Sequence, residues 1–170
     1  MDIRATLKFG LVAFIFGWLA FHATIGANSG PTEAGLEAEI HEAVNEKRVA
    51  HGLEPLEYSD GIGSVADNHS EHMADAGFYA HQAPNGQDVG DRFQEAGVSC
   101  GYPGENLYRM HTGGAIGDAE QLANETVDSW MNSPGHRENL LRPQYDEEGI
   151  GVAIVDRDSE TYVYVTQDFC

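Results

Sequence analysis

The residues able to do chemistry fall in three separate stretches. Trp130-Met131-Asn132-Ser133-Pro134-Gly135-His136-Arg137-Glu138-Asn139-Leu140-Leu141 puts a histidine directly after Pro-Gly, where a chain turns before a helix restarts. Such a histidine can face a cleft. Gly104-Glu105-Asn106-Leu107 sets a carboxylate beside a glycine, and Tyr79-Ala80-His81 closes a helical segment on a second histidine. Neutral imidazoles at His81 and His136, with the Glu105 carboxylate, are suitable ligands for zinc or a similar divalent cation, with one position left to water. The spacing is dispersed, however, without the i, i+4 histidines of a metalloprotease helix. The same side chains can equally form a hydrogen-bonded polar cleft that only stabilises the fold.

Ser133 opens a third reading, because it lies three residues before His136 and a Ser-His-Glu set can be drawn with Glu105. Against it stand the missing Gly-x-Ser-x-Gly elbow and the ordinary use of Ser-Pro as a turn and helix cap. His69 and His72, three apart with Glu71 between them, can bind a metal on one helical face. The plainer reading places His69 in the core and His72 near the surface. His41, His51 and His111 have no partner that sequence identifies, and His22 belongs to the leader. Trp130, Phe93, Tyr79 and Phe169 read as core residues on patterned elements. Asn106 and Asn139 read as bonding loop backbones near the cleft, and Arg137 as pairing with an acidic neighbour.

The elements that must position these residues follow from periodicity. Leu36, Ile40, Val44 and Ala50 mark a first amphipathic helix stopped at Gly52. Ser59-Asp60 opens a second helix to about Gly77, with Ile62, Val65, Ala66, His69, Met73 and Ala76 on one stripe. A turn at Ala83-Pro84-Asn85-Gly86 precedes a short helix from Val89 to Ala96. The chain then reads as loop through Gly97, Gly101, Pro103 and Gly104, with a glycine-rich excursion from Met110 to Gly117. A third long helix spans Asp118 to Met131 and is interrupted by Ser133-Pro134-Gly135. Gly149 to Val155 and Thr161 to Phe169 change to a strand-like period and predict a C-terminal antiparallel hairpin. Helices first and strands last make the class α+β.

Arg4 and Lys8 precede an apolar run from Phe9 to Ile25, the pattern of an export signal. The run is ~17 residues long, at the lower edge of a membrane span, and Ile25-Gly26-Ala27 offers a small residue for cleavage. Residues 1–27 are thus a signal peptide or a membrane anchor, with residues 9–25 as the tether in the second case. Under both readings the basic end stays inside and the remainder is extracellular or on the cell surface. Residues 28–35 read as a linker and 36–170 as one domain.

The 170 residues hold 28 acidic and 9 basic side chains, a net charge of -19, with Lys8 and Lys47 the only lysines. Concentrated salt screens such self-repulsion, and the balance looks like that of halophilic proteins. It excludes nucleic acid as a partner, because phosphate binding needs basic patches. Cys100 and Cys170 are an even pair in an exported chain, read as one disulfide against the alternative of two unpaired thiols.

The three stretches lie in order with Glu46 to Leu56, Ala66 to Ala74, Gly149 to Ala153 and Tyr164 to Phe169. Together these resemble the CAP superfamily of cysteine-rich secretory proteins, antigen 5 and pathogenesis-related class-1 proteins, most closely its prokaryotic SCP-domain branch, over residues 38–169. The resemblance implies a three-layer α-β-α sandwich and a cleft of two histidines and two acidic residues. His81 matches the first histidine, Glu105 the glutamate of the Gly-Glu-Asn motif and His136 the second histidine. Where animal members carry a second glutamate, three residues after the tryptophan, this chain has Ser133, which puts in doubt any mechanism needing two carboxylates. The implied function is binding without catalysis, at a cleft of His81, Glu105, His136, Ser133 and Asn106. Its ligand is a divalent cation or an unknown small-molecule, lipid or cell-surface partner; an extracellular hydrolase is the alternative.

Overall fold

The structure is a computed structural model that describes residues 30–170. The leader over 1–27, with its tether at 9–25 and His22, lies outside the described residues. Helix α1 (Glu33–Ala50) is opened by Thr32, whose hydroxyl accepts a hydrogen bond from the Gly35 amide at 3.1 Å. The linker expected over 28–35 therefore ends early, since Glu33 to Gly35 already form the first turn. Leu36, Ile40, Ala43 and Val44 are the buried stripe of this helix.

The short strand β1 (Glu57–Tyr58) leads into α2 (Asp60–Ala76), which ends at Gly77 in the left-handed region, φ 70°. A reciprocal pair of bonds between Asp88 and Asp91 caps α3 (Val89–Ala96). Strand β2 (Gly104–Thr112) precedes α4 (Ala119–Asn132), which is capped by Asp118, and α5 (Pro134–Leu140), which has proline in its first turn. Strands β3 (Glu147–Arg157) and β4 (Glu160–Phe169) form the expected hairpin. Its two-residue turn places Asp158 at φ 50° and Ser159 at φ 69°, the backbone a tight right-twisted hairpin requires.

The sheet order is β1-β3-β4-β2, with β1 parallel to β3 and both other pairs antiparallel. Alternation along the strands divides the core between two faces. Ile150, Val152, Val163, Val165 and Phe169 meet Leu36, Ile40 and Val44 of α1 and Leu122, Val127 and Trp130 of α4. On the opposite face Leu107, Ala153 and Tyr164 meet Met73 and Ala74 of α2, beside a second cluster of Ile62, Val65 and Phe93. This is the three-layer α-β-α sandwich of the α+β class.

Helix α2 lies close to β3 because Gly149 and Gly151 face it. A Cβ on Gly149 would fall on the Ile62–Gly63 backbone, and one on Gly151 on the Ala66–Asp67 backbone. The Cys100–Cys170 disulfide is formed, with Cα atoms 5.6 Å apart and a sequence separation of 70. Closing a loop of that length stabilises the fold by about 4 kcal/mol in the chain-entropy model. It pins the end of β4 to the loop just before β2.

Strand β2 corrects the sequence reading, which left Gly97 to Gly104 and Met110 to Gly117 as loop and saw no strand between them. The run Glu105-Asn106-Leu107-Tyr108-Arg109-Met110-His111 has polar residues on both faces, so the alternation that betrays a strand is missing. Two of its polar residues, Glu105 and Asn106, are nonetheless buried.

Candidate functional site

Strand β2 is an edge of the sheet, and the two helical layers come together around its first residues. Glu105 points to the α2/α3 face and Asn106 to the α1/α4/α5 face, one residue apart. His81 does not close a helix: α2 ends at Ala76, and His81 stands in the loop that leads to α3. His136 lies in the first turn of α5, where Ser133-Pro134-Gly135 has restarted the helix. The site therefore straddles the sheet edge, with one histidine from each layer.

Glu105 is the hub. One of its oxygens meets His81 Nδ1 at 2.6 Å, and the other takes the Arg92 guanidinium of α3, while His69 Nε2 of α2 lies 3.7 Å away. Its side chain is only 3% exposed, whereas that of His81 is 59% exposed, so the site opens to solvent at His81. Since a carboxylate only accepts, Nδ1 of His81 carries the proton and Nε2 is left free. The His81 and His136 rings lie 6.5 Å apart between centroids, tilted by 55°.

A second set of bonds fixes the other half. Asn106 Nδ2 donates to the His136 carbonyl at 3.2 Å and to Gln167 Oε1 at 3.1 Å. Asn139 of α5 donates to the Glu105 carbonyl at 3.1 Å and to Asn106 Oδ1 at 3.0 Å. Asn106 and Asn139 thus tie α5 to strand β2, where the sequence reading had them bonding loops. Trp130 anchors the same region, buried with its indole N–H on the Leu107 carbonyl at 3.0 Å.

The two cleft histidines are tuned in opposite directions. The Glu105 hydrogen bond raises the pKa of His81 above the ordinary 6.5, against the effect of burial. Burial, and then the neighbouring His81, lower that of His136. His69 is lowered by burial in spite of Glu105; its Nε2–H donates to the Ala80 carbonyl at 3.1 Å.

Other predicted site residues fall elsewhere. Ser133 occupies the cap position between α4 and α5 without a side-chain cap bond, and its hydroxyl bonds neither His81 nor His136 among the described residues. His69 is buried, as the plainer reading had it, and His72 is exposed against the Phe78 ring. Arg137 pairs with His51 Nε2 at 3.2 Å instead of an acid. Tyr79 is no core residue: it is 40% exposed, with the Arg109 guanidinium 4.9 Å from its ring centre. Among the described residues no cluster of three or more His, Cys, Asp or Glu side chains could hold a metal ion. Both Glu105 oxygens are engaged by protein donors.

Sequence reasoning missed Arg92, and it missed Asp168, which faces Glu105 across the β2–β4 pair. The one signal for Asp168 was an acid set in the otherwise strand-like tail from Thr161 to Phe169.

The model of the cysteine-rich secretory protein (CAP) family matches residues 41–169. The chain belongs to the CAP family. Among relatives of this CAP domain, Bacillus subtilis YkwD, an uncharacterised protein, is 31% identical over 115 residues, which cover 68% of this chain and 41% of YkwD. The uncharacterised B. subtilis membrane protein YlbC is 33% identical over 133 residues, 78% of this chain and 34% of YlbC. The chain thus spans less than half the length of these relatives. An extracellular SCP-domain protein of Bacillus anthracis shares the fold with a TM-score of 0.64 at 30% identity, over 81% of this chain and 40% of that one. An outer surface protein of Borrelia burgdorferi aligns with a TM-score of 0.63 at 21% identity, over 79% and 91% of the two chains. The prokaryotic SCP branch is where this CAP domain sits.

Proposed function

We propose that this CAP domain is an extracellular binding module in which His81 and His136 hold one divalent cation, without catalysis of its own. The observation that carries the reading is the 2.6 Å bond from His81 Nδ1 to Glu105. A carboxylate behind a histidine fixes its tautomer and ring orientation and raises its basicity, the usual support for a metal-ligating imidazole. Glu105 then acts from behind His81 and does not itself touch the ion. His136, held toward its neutral form, supplies the second nitrogen. A bound ion would be a Lewis acid with open positions for water or for an oxygen of a small-molecule, lipid or cell-surface ligand.

Zinc is the ion to test first, since the fold relative NaASP2, 13% identical with a TM-score of 0.54, has a crystal structure with Zn2+. The basic and apolar N-terminal pattern and the extracellular B. anthracis relative support placement outside the cytoplasm. The acidic composition supports assays in concentrated salt.

Zinc titrated calorimetrically into the purified protein in high salt is expected to bind one ion per chain. It should raise the unfolding free energy by about 2.7 kcal/mol at a free concentration one hundred times Kd. His81→Ala and His136→Ala should each abolish the shift while the fold is retained. No heat and no shift in the wild type, or binding that survives both substitutions together, would overturn the reading.

A further inference from the structure

We infer that Asp168 is a positioning residue of this site: from β4 it donates a hydrogen bond to Glu105 and so fixes the carboxylate that holds His81. The inference rests on the reading of His81 as the working imidazole. Asp168 is fully buried, and neither of its oxygens meets a protein N–H or O–H donor. A carboxylate left charged in that position would forfeit its hydration for no hydrogen bond and only a share of the Arg92 charge that Glu105 already engages.

Its surroundings leave one partner. In the antiparallel register Asp168 stands opposite Glu105 on β2 and opposite Gly149 on β3. Directly opposed residues share a face of the sheet with Cβ atoms about 4.5–5.5 Å apart. Gly149 has no side chain to offer, and the adjacent residue on the same face, Thr166, already bonds Ser70 at 2.8 Å. The α2/α3 layer on this face contributes the apolar side chains of Ile62, Val65 and Phe93, together with the Arg92 guanidinium. Arg92 also lends its charge to Asp168, but its Nη2 is committed to Glu105 and its Nε donates to nothing among the described residues, so the facing Glu105 carboxyl is the partner left for a hydrogen bond.

Two carboxyls in contact hold together by sharing a proton. Glu105 accepts from His81 and Arg92, so it is the member that stays ionised, and each of its oxygens keeps a lone pair for a further donor. Asp168 is then the member that keeps the proton. Its pKa is pushed well above the carboxylate range, first by burial and then by Glu105. The result is a chain Asp168 to Glu105 to His81 that runs from the protein interior to the solvent-facing ring.

The test uses the full protein free of metal, with Asp168→Asn and Asp168→Val. At neutral pH the wild type should show an infrared carbonyl band of a protonated carboxyl that is missing from Asp168→Asn, beside the band of Glu37, whose pKa burial and Asp67 raise to about 7 and which both proteins share. The His81 Nδ1 proton, observed by NMR in its bond to Glu105, should persist in Asp168→Asn, whose amide still donates to Glu105, and be lost in Asp168→Val. A merely structural Asp168 would change the melting temperature in Asp168→Val and leave that proton signal in place. A difference spectrum of wild type minus Asp168→Asn with no protonated-carboxyl band overturns the inference, as does an unchanged His81 signal in Asp168→Val. Should Asp168→Val fail to fold, the infrared comparison decides alone. In the zinc titration Asp168→Val should bind about tenfold to a hundredfold more weakly than wild type. A wild type that binds no zinc ends the cation reading, and the two spectroscopic outcomes still decide the role of Asp168.

Discussion

The two faces of the sheet meet at β2 and treat their buried polar groups in opposite ways. Toward α1, α4 and α5, Asn106, Gln167 and Glu148 stand on three neighbouring strands and are all bonded: Gln167 Nε2 reaches Glu148 at 2.6 Å, and Glu148 meets His41 Nδ1 at 2.6 Å. Toward α2 and α3, His69 Nδ1 and Arg92 Nε are buried without a partner and neither Asp168 oxygen meets a protein N–H or O–H donor; the one other such atom among the described residues is Arg142 Nε. A satisfied network specifies structure, and an unsatisfied one concentrated beside a cleft marks where structure has been given up for something else. The contrast makes the Glu148 ladder the stabilising half and the Glu105 cluster the half where the proposed binding site would sit.

The largest effect is expected from Glu148→Ala. It removes a buried charge that two donors share, so the loss should be about 3–5 kcal/mol in chemical denaturation. Next come two adjacent β4 positions that face opposite layers. Gln167→Leu strands Asn106 and Glu148 and should cost about 1–3 kcal/mol, whereas Asp168→Val removes one donor to Glu105, which keeps His81 and Arg92, and should cost less than about 1 kcal/mol. Equal losses at the two positions, measured by urea midpoints, would erase the distinction between the faces.

Acid should act mainly on the Glu105 side. His69 and His136 are neutral in the fold because burial lowers both below the ordinary 6.5. The stability they contribute is therefore complete above that value and is lost as pH falls through their lowered pKa values. His81, raised by its Glu105 bond, runs the other way: its contribution is present below 6.5 and fades as pH rises past its raised value. Asp168 runs the same way from a lower start: its contribution is full below the ordinary carboxylate value of 3.8 and fades as pH rises toward its raised pKa. Urea midpoints between pH 5 and 8 should show the acid limb flattened in His69→Gln, and an unaltered limb would remove His69 from the account.

What sequence could convey follows the same division. Helices α1, α2, α3 and α4 and the β3–β4 hairpin carry regular apolar periods, and the paired cysteines and the Pro-Gly restart before His136 are local features. Strand β2 is concealed, because Glu105 and Asn106 are buried polar residues whose reason for burial lies in other elements. Arg92 and His69 look like ordinary helical residues until α3 and α2 bring them to Glu105. Asp168 is intelligible only through its register with Glu105 and Gly149, and that register is set by the whole sheet. Tyr79 was misplaced because its neighbour Phe78 packs inward while Tyr79 turns out toward Arg109.

The smallest effect belongs to Ser133. A serine hydroxyl that caps a helix contributes about 0.5–2 kcal/mol, but here the side chain makes no cap bond. A nucleophilic serine also needs an imidazole within hydrogen-bond reach and a carboxylate behind that imidazole. The histidine that Glu105 supports is His81, from the opposite layer, while Ser133 lies three residues before His136. Ser133→Ala should therefore change the unfolding free energy by less than about 0.5 kcal/mol and leave the zinc affinity as it is. If Ser133→Ala instead abolished a hydrolytic activity of the wild type, as read with an ester substrate, the cleft would be catalytic. The α5 side would then share in function, and the division between a structural and a functional face would fail at that point.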